Sequence, residues 1–202
     1  IKERGAILQE MAMYEDMPSQ SVGDVFENLL YGNQRLGREI IGNKKTLNSF
    51  TRKNFMQYIN RFYTAKNTVV CVAGKIDEKE CLKKIEKSFT KISSVEKEDF
   101  QRVVEKQSVP KLKIKDKKTD QTNLILGVRA YDMFHPDRHA LKLLEVILGG
   151  NMSSRMFINI REKLGLAYYV QTSADSYQDA GYLATQAGVE HKNLPLAIES
   201  IL

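Results

Sequence analysis

The chain has 202 residues, 42% hydrophobic and 28% charged, with a net charge of +6. That composition suits a globular protein with one large or two small cores, and no apolar run approaches the roughly 20 residues of a membrane span. The basic residues are spread out and interleaved with acids, as in Lys79-Glu-Cys-Leu-Lys-Lys-Ile-Glu86, which reads as a solvated helix face and not as a nucleic-acid footprint.

The first predicted helix runs from the start to about Asp16 and is broken by Met17-Pro18-Ser19. Ile7, Leu8 and Met11 form its apolar stripe. Glu3 and Glu10 lie seven positions apart, within roughly 20° of one direction on a helix. Two readings are open for that pair: a solvated edge, or a carboxylate offered to a metal. A second helix spans Ser21 to Tyr31, with Val22, Val25, Phe26, Leu29 and Leu30 on one face. Three glycines between Gly32 and Gly42 imply a shaped connection. Ser49 or Thr51 starts a helix with Phe55, Ile59 and Phe62 inward, and Asn67 to Ala73 is expected as a short buried strand ended by Gly74. Asp77 caps a helix through Phe89.

From Ser93 to about Gln107 periodicity fails, which predicts a linker. Strands are expected at Lys111–Lys117 and Thr122–Tyr131, the first with its lysines on an exposed face. A helix with Pro136 in its first turn reaches Leu148 and ends at Gly149-Gly150. Another helix, from Asn151 or Ser153 to Leu164, ends at Gly165. Tyr168–Ala174 and Tyr182–Val189 are strands joined by a turn with Asp179-Ala180-Gly181, and Leu194 opens a final helix. The order gives two α+β units, the first with too few strands for a sheet of its own. Both ends of the sequence fall in mid-pattern, so a fragment or processed piece is expected. Cys71 reads as a buried small hydrophobe and Cys81 as a helix residue, both reduced thiols in a cytosol-like compartment.

Several patterns suggest chemistry. His135 and His139 are the close histidine pair, yet His135 precedes a proline and no Glu follows it as in a His-Glu-x-x-His zinc motif. Leu148-Gly-Gly-Asn-Met-Ser-Ser-Arg155 lacks the Gly-Lys-Ser/Thr ending of a phosphate loop. Ser153 and Ser154 have no histidine nearby for a triad. The informative stretch is Arg161-Glu-Lys-Leu-Gly-Leu-Ala-Tyr168-Tyr169. Arg161 closes a helix and Tyr168 opens a strand across the Gly165 turn, so the two suit a shared cleft, where fixed N–H donors and a stiff phenol bind a peptide carbonyl or an oxyanion. The alternative is an arginine capping helix carbonyls beside a half-buried tyrosine.

Taken together, Leu148 to Val170 resembles the second-domain signature of the M16 metallopeptidases. Glu3-Arg-Gly-Ala-Ile-Leu-Gln-Glu10 resembles that family's segment downstream of its inverted zinc motif, and Leu36–Gly42 and Asn67–Gly74 match in order. The resemblance implies an α+β fold of two homologous α/β sandwich (roll) units with mixed or antiparallel sheets, a LuxS/MPP-like metallohydrolase architecture, with both units incomplete here. It implies residues 1–92 as the C-terminal half of a first, zinc-carrying domain, 93–110 as a linker and 111–202 as the N-terminal half of a second, substrate-binding domain. It makes Glu10 the third zinc ligand, Glu3 a supporting acid of the catalytic helix, and Arg161 and Tyr168 the substrate-binding pair. The family's His-x-x-Glu-His is not in this chain. One carboxylate cannot hold a catalytic zinc, which needs three protein ligands, so the chain alone is expected to be inactive.

The expected parent is therefore a zinc-dependent endopeptidase acting on peptides, cytoplasmic, without nucleic-acid or membrane partners; the resemblance admits a homodimer or a paired family subunit. Two alternatives remain: a non-catalytic family subunit that binds peptide or scaffolds a partner, and a basic nucleic-acid-binding module.

Overall fold

The computed structural model describes residues 2–96 and 99–202. Contacts divide the chain into two compact units, one of residues 1–43 with 102–202 and one of residues 44–101. Lys97 and Glu98, inside the expected linker, lie outside the described residues.

The larger unit is built on one central strand. Strands β1 (Thr122–Arg129), β2 (Ala167–Ser176) and β3 (Gly181–Val189) form an antiparallel sheet in the order β1-β3-β2. Successive side chains of a strand point to opposite faces, and β3 is used on both. Thr185, Ala187 and Val189 join Phe157, Ile160, Leu166, Val170 and Ala197 on one side, where Ile160, Ala187, Val189 and Ala197 are fully buried. Tyr182, Ala184 and Gln186 meet helix α2 (Pro18–Tyr31) on the other. A strand with small or apolar residues on both faces is what a sheet covered on both sides requires.

Helix α2 lies close because Gly127 and Ala184 leave room for it: a Cβ at Gly127 would sit 2.6 Å from the Phe26 ring and 2.8 Å from Ala184 Cβ. Phe26 also packs edge-on against Tyr182, with centroids 5.1 Å apart. Helix α1 (Lys2–Glu15) precedes α2, and Pro18 sits in the first turn of α2, where its missing N–H costs nothing. The expected break is therefore a start: Pro18 begins the helix three residues before Ser21.

The covering elements of the first face follow β1. Helix α6 (Arg138–Leu148) ends at Gly149, whose carbonyl accepts from Thr172 N at 3.1 Å. The next helix is α-helical only at Arg155-Met156 and then widens into a π-helical segment, Phe157–Lys163. Helix α7 (Leu194–Ile201) closes the unit.

The smaller unit holds helices α3 (Lys44–Ser49), α4 (Arg52–Phe62) and α5 (Glu78–Phe89). Their starts follow local rules. Thr51 and Asn54 form a reciprocal capping box on α4, and Asp77 accepts from Glu80 N at 2.8 Å on α5. Their apolar stripes, however, are not covered. Phe55, Ile59, Leu82 and Phe89 are all exposed.

Three strand-level expectations are corrected here. Residues 68–73 form no strand, and Cys71, expected to be buried, is exposed, as are Val69, Val70 and Val72. The backbone at Thr68 is extended, with φ −120° and ψ 132°. A strand exists only through pairing, and among the described residues the smaller unit has one isolated bridge, Thr64 to Ser93. Lys111–Lys117 likewise forms no strand, and Leu112 and Ile114 are exposed. Instead Lys113 donates to Asn28 Oδ1 and Lys117 donates to the Glu15 carbonyl, so the stretch runs along α1 and α2 as an irregular strap.

Candidate functional site

Arg161 and Tyr168 sit on consecutive elements of the larger unit, across the turn at Gly165, whose φ of +61° is a left-handed conformation that favours glycine. Leu166 N donates to Ile160 O at 2.9 Å, tying the strand entry to the helix that carries Arg161. Both side chains are exposed, Tyr168 at 56%. Each stands on a local irregularity. Arg161 lies in the π-helical segment, with its guanidinium carbon 5.0 Å from the centroid of the buried Phe157 ring. Tyr168 is the extra residue of a β-bulge: Ala167 pairs with Val189 and Tyr169 with Gly188, leaving Tyr168 unpaired. Both π-turns and β-bulges re-aim a side chain at a local cost in regular pairing.

Polar groups surround this end of the sheet. Lys192 pairs with Glu190 at 2.8 Å, and its ammonium is held above the usual lysine range by that hydrogen bond and charge, with Tyr168 adding to the effect. His191 is clamped: Nε2 lies 2.8 Å from the Thr119 carbonyl and Nδ1 2.7 Å from Thr122 Oγ1. A carbonyl only accepts, so Nε2 carries a proton. Tyr169 donates to Asn123 Oδ1 at 2.8 Å and receives Gln186 Nε2 at 3.1 Å. Burial pushes its phenol above the ordinary tyrosine value, against the Gln186 hydrogen bond. The partners of Tyr169 and His191 could not be read from the sequence, because they come from pairing between distant segments.

Glu3 and Glu10 lie exposed on α1, whose buried residue is Met11. Among the described residues no hydrogen bond or ion pair joins either carboxylate to Arg161 or Tyr168, and no group of three or more His, Cys, Asp or Glu side chains could hold a metal ion. The donors among the described residues do not make a zinc site. His135 is turned to its own backbone, its Nδ1 accepting from Asp137 N at 3.1 Å while its ring stacks on Tyr131 at 3.8 Å. Ser154 is buried, with its Oγ unpartnered among the described residues.

A family model described as the peptidase M16 inactive domain matches residues 49–202. The chain belongs to the M16 peptidase family. A Rickettsia felis protein described as an uncharacterized zinc protease is 35% identical over 201 residues, which cover 99% of this chain and 48% of that protein. A Bacillus subtilis protein of similar description is 36% identical over 206 residues, covering 99% and 48%. This M16 chain thus spans about half the length of the curated relatives it matches. A conserved protein from Enterococcus faecalis superposes with a TM-score of 0.84 at 18% identity, over 99% of this chain and 47% of the other. A Helicobacter pylori protease superposes with a TM-score of 0.82 at 20% identity, over 99% and 50%. These similarities show a shared fold, the α+β M16 architecture, with a small antiparallel sheet in this chain.

Proposed function

We propose that this chain is part of a zinc-dependent endopeptidase in which it supplies the peptide-gripping side of the active site. The observation that carries the reading is the pair Arg161 and Tyr168, both exposed and set on a π-turn and a bulge across one short turn. An arginine fork and a phenol on stiff supports suit a peptide carbonyl and the negative charge that grows on it during acyl transfer. Their role needs no metal in this chain. The carboxylate of Glu10 serves as one zinc ligand, with Glu3 as a supporting acid on the same helix, and the remaining ligands belong to a His-x-x-Glu-His segment of the longer protein. Residues 1–92 then belong to a metal-carrying half and 111–202 to a substrate-binding half, joined through 93–110. The zinc-protease descriptions of the relatives support the reading. A cytoplasmic location, and pairing with a second copy or a family subunit, belong to the same proposal.

The test uses the longer protein that carries a His-x-x-Glu-His segment together with this chain. Replacing Glu10 with Gln should abolish stoichiometric zinc and peptide cleavage, and replacing Arg161 with Gln should leave zinc intact while cutting kcat/KM by about 100-fold. Full zinc and full activity in Glu10→Gln would sink the ligand assignment. A second reading, a subunit that holds peptide without cutting it, is favoured by the match to a family model described as an inactive domain; it predicts tight peptide binding with neither zinc nor cleavage.

A further inference from the structure

Resting on the peptide grip proposed above, we propose that Phe157 and Tyr169 are positioning residues that set the directions of Arg161 and Tyr168. Tyr169 is the first residue to resume pairing after the bulge, opposite Gly188. Its ring lies so close over that glycine that a Cβ there would sit 2.4 Å from Tyr169 Cε1. Its hydroxyl is held at both sides, by Asn123 on β1 and Gln186 on β3. Gln186 is itself held by the Ser19 carbonyl at 2.5 Å. Ring and hydroxyl together leave Tyr169 one orientation, and the preceding peptide has to follow it. Tyr168, which no ladder bond constrains, takes its aim from that neighbour.

Phe157 does the same for Arg161. Its ring belongs to the buried cluster with Ile160, Val170 and Val189, so it does not move with solvent. The guanidinium rests over this ring in a cation–π contact, which fixes the stem and leaves the N–H fork available. Among the described residues no carboxylate is paired with Arg161. One side chain is thus held by an aromatic face beneath it and the other by an aromatic neighbour beside it, each on the element that already carries an irregularity.

The experiment compares Tyr169→Phe, Phe157→Leu and Gly188→Ala with Tyr168→Phe and Arg161→Gln in the longer peptidase, reading kcat and KM on a fluorogenic peptide, zinc content and Tm. Leu30→Ala, which removes a buried side chain from the cluster with Tyr31 and Ala180, serves as a control for lost stability. The inference expects Tyr169→Phe and Phe157→Leu to lower kcat/KM by about 3- to 30-fold, with zinc unchanged. Leu30→Ala loses as much Tm with kcat/KM intact, and Phe157→Tyr, which keeps a ring, restores the rate. Gly188→Ala follows Tyr169→Phe. If Tyr168→Phe and Arg161→Gln have no effect, the grip itself is wrong and the inference falls with it. If those two impair turnover while Tyr169→Phe and Phe157→Leu do so no more than Leu30→Ala, the grip stands and the positioning roles are overturned.

Discussion

At the scale of single residues, Glu27 on α2 joins a helix to the hairpin of the larger unit. One of its oxygens accepts from Tyr177 at 2.5 Å and from Tyr182 at 3.0 Å, so a helix carboxylate clasps both sides of the β2–β3 turn. Arg129 extends the group, donating to the Leu30 carbonyl and pairing with Glu105 at 2.6 Å. Replacing Glu27 with Ala leaves two partly buried phenols without their acceptor. We expect a loss of about 2–3 kcal/mol, read as a fall in Tm of roughly 5–10 °C; an unchanged Tm would show that the clasp carries nothing. The same tyrosines make stability depend on alkali. Burial, with the nearby carboxylates, pushes Tyr31, Tyr177 and Tyr182 well above their ordinary value, and burial raises Tyr169. The folded chain therefore holds phenol protons that the unfolded chain gives up near pH ~10. Their contribution is fully present below that pH and is lost as pH rises above it. Absorbance at 295 nm should report fewer phenolates than the nine tyrosines at pH ~11, with the remainder appearing only as the chain unfolds. Simultaneous titration of all nine before any change in circular dichroism would contradict this.

Elements carry a different lesson. Two helix starts were legible because they rest on neighbours in sequence, Thr51 with Asn54 and Asp77 with Glu80, as was the helix end at Gly165; α2 starts at Pro18, before the expected Ser21, and α6 at Arg138, after the Pro136 expected in its first turn. Strands β1, β2 and β3 were legible for their β-branched and aromatic content. Residues 68–73 have the same content and form no strand, because pairing is a property of a partner and not of the segment. The π-helical turn at Phe157–Lys163 had no visible signal, since its apolar spacing also suits an α-helix. Glycines at element junctions are the sensitive points. A Cβ at Gly149 would lie 2.5 Å from Thr172 N, a backbone atom that already donates to the Gly149 carbonyl. Gly149→Ala must therefore push α6 off β2. Gly127→Ala meets the end of the Phe26 ring at 2.6 Å, Ala184 Cβ at 2.8 Å and, of the backbone, only the Leu183 carbonyl oxygen at 3.0 Å. We expect Gly149→Ala to cost more than Gly127→Ala, with the latter at about 1–3 kcal/mol, measured by denaturant unfolding. The reverse ranking would mean that α2 is the less tolerant neighbour.

For the molecule as a whole, the two units differ in how much apolar surface they bury. The larger has a continuous buried cluster across β2, β3, α7 and the π-helical segment, while α4 and α5 of the smaller contribute no buried residue. Local stability follows buried contacts. Hydrogen exchange on the 202-residue chain should find the slowest amides in β3 and much faster exchange across 68–73, and a hydrophobic dye should bind the chain. Protection at 68–73 equal to that of β3 would refute this. The same scale explains what could be read of the site. Arg161 and Tyr168 lie seven positions apart, close enough for a local reading to single them out as candidates. Their supports depend on Asn123, Gln186 and Gly188, segments brought together by the sheet, and no local pattern announces such a meeting.

The bulge at Tyr168 has one more consequence. Remove that residue and Ala167 and Tyr169 become consecutive, opposite the already consecutive Val189 and Gly188, while the buried Ala167 and Val170 fall two apart on one face. The strand would then be regular, with every remaining residue in the register it has now. To the fold, Tyr168 is surplus: a single-residue deletion there should leave Tm within a few degrees, whereas deletion at Val170 or Thr172 would turn the rest of the strand inside out. A residue the architecture does not need, carried on its surface by a device that costs regular pairing, leaves its side chain available to the peptide grip proposed above.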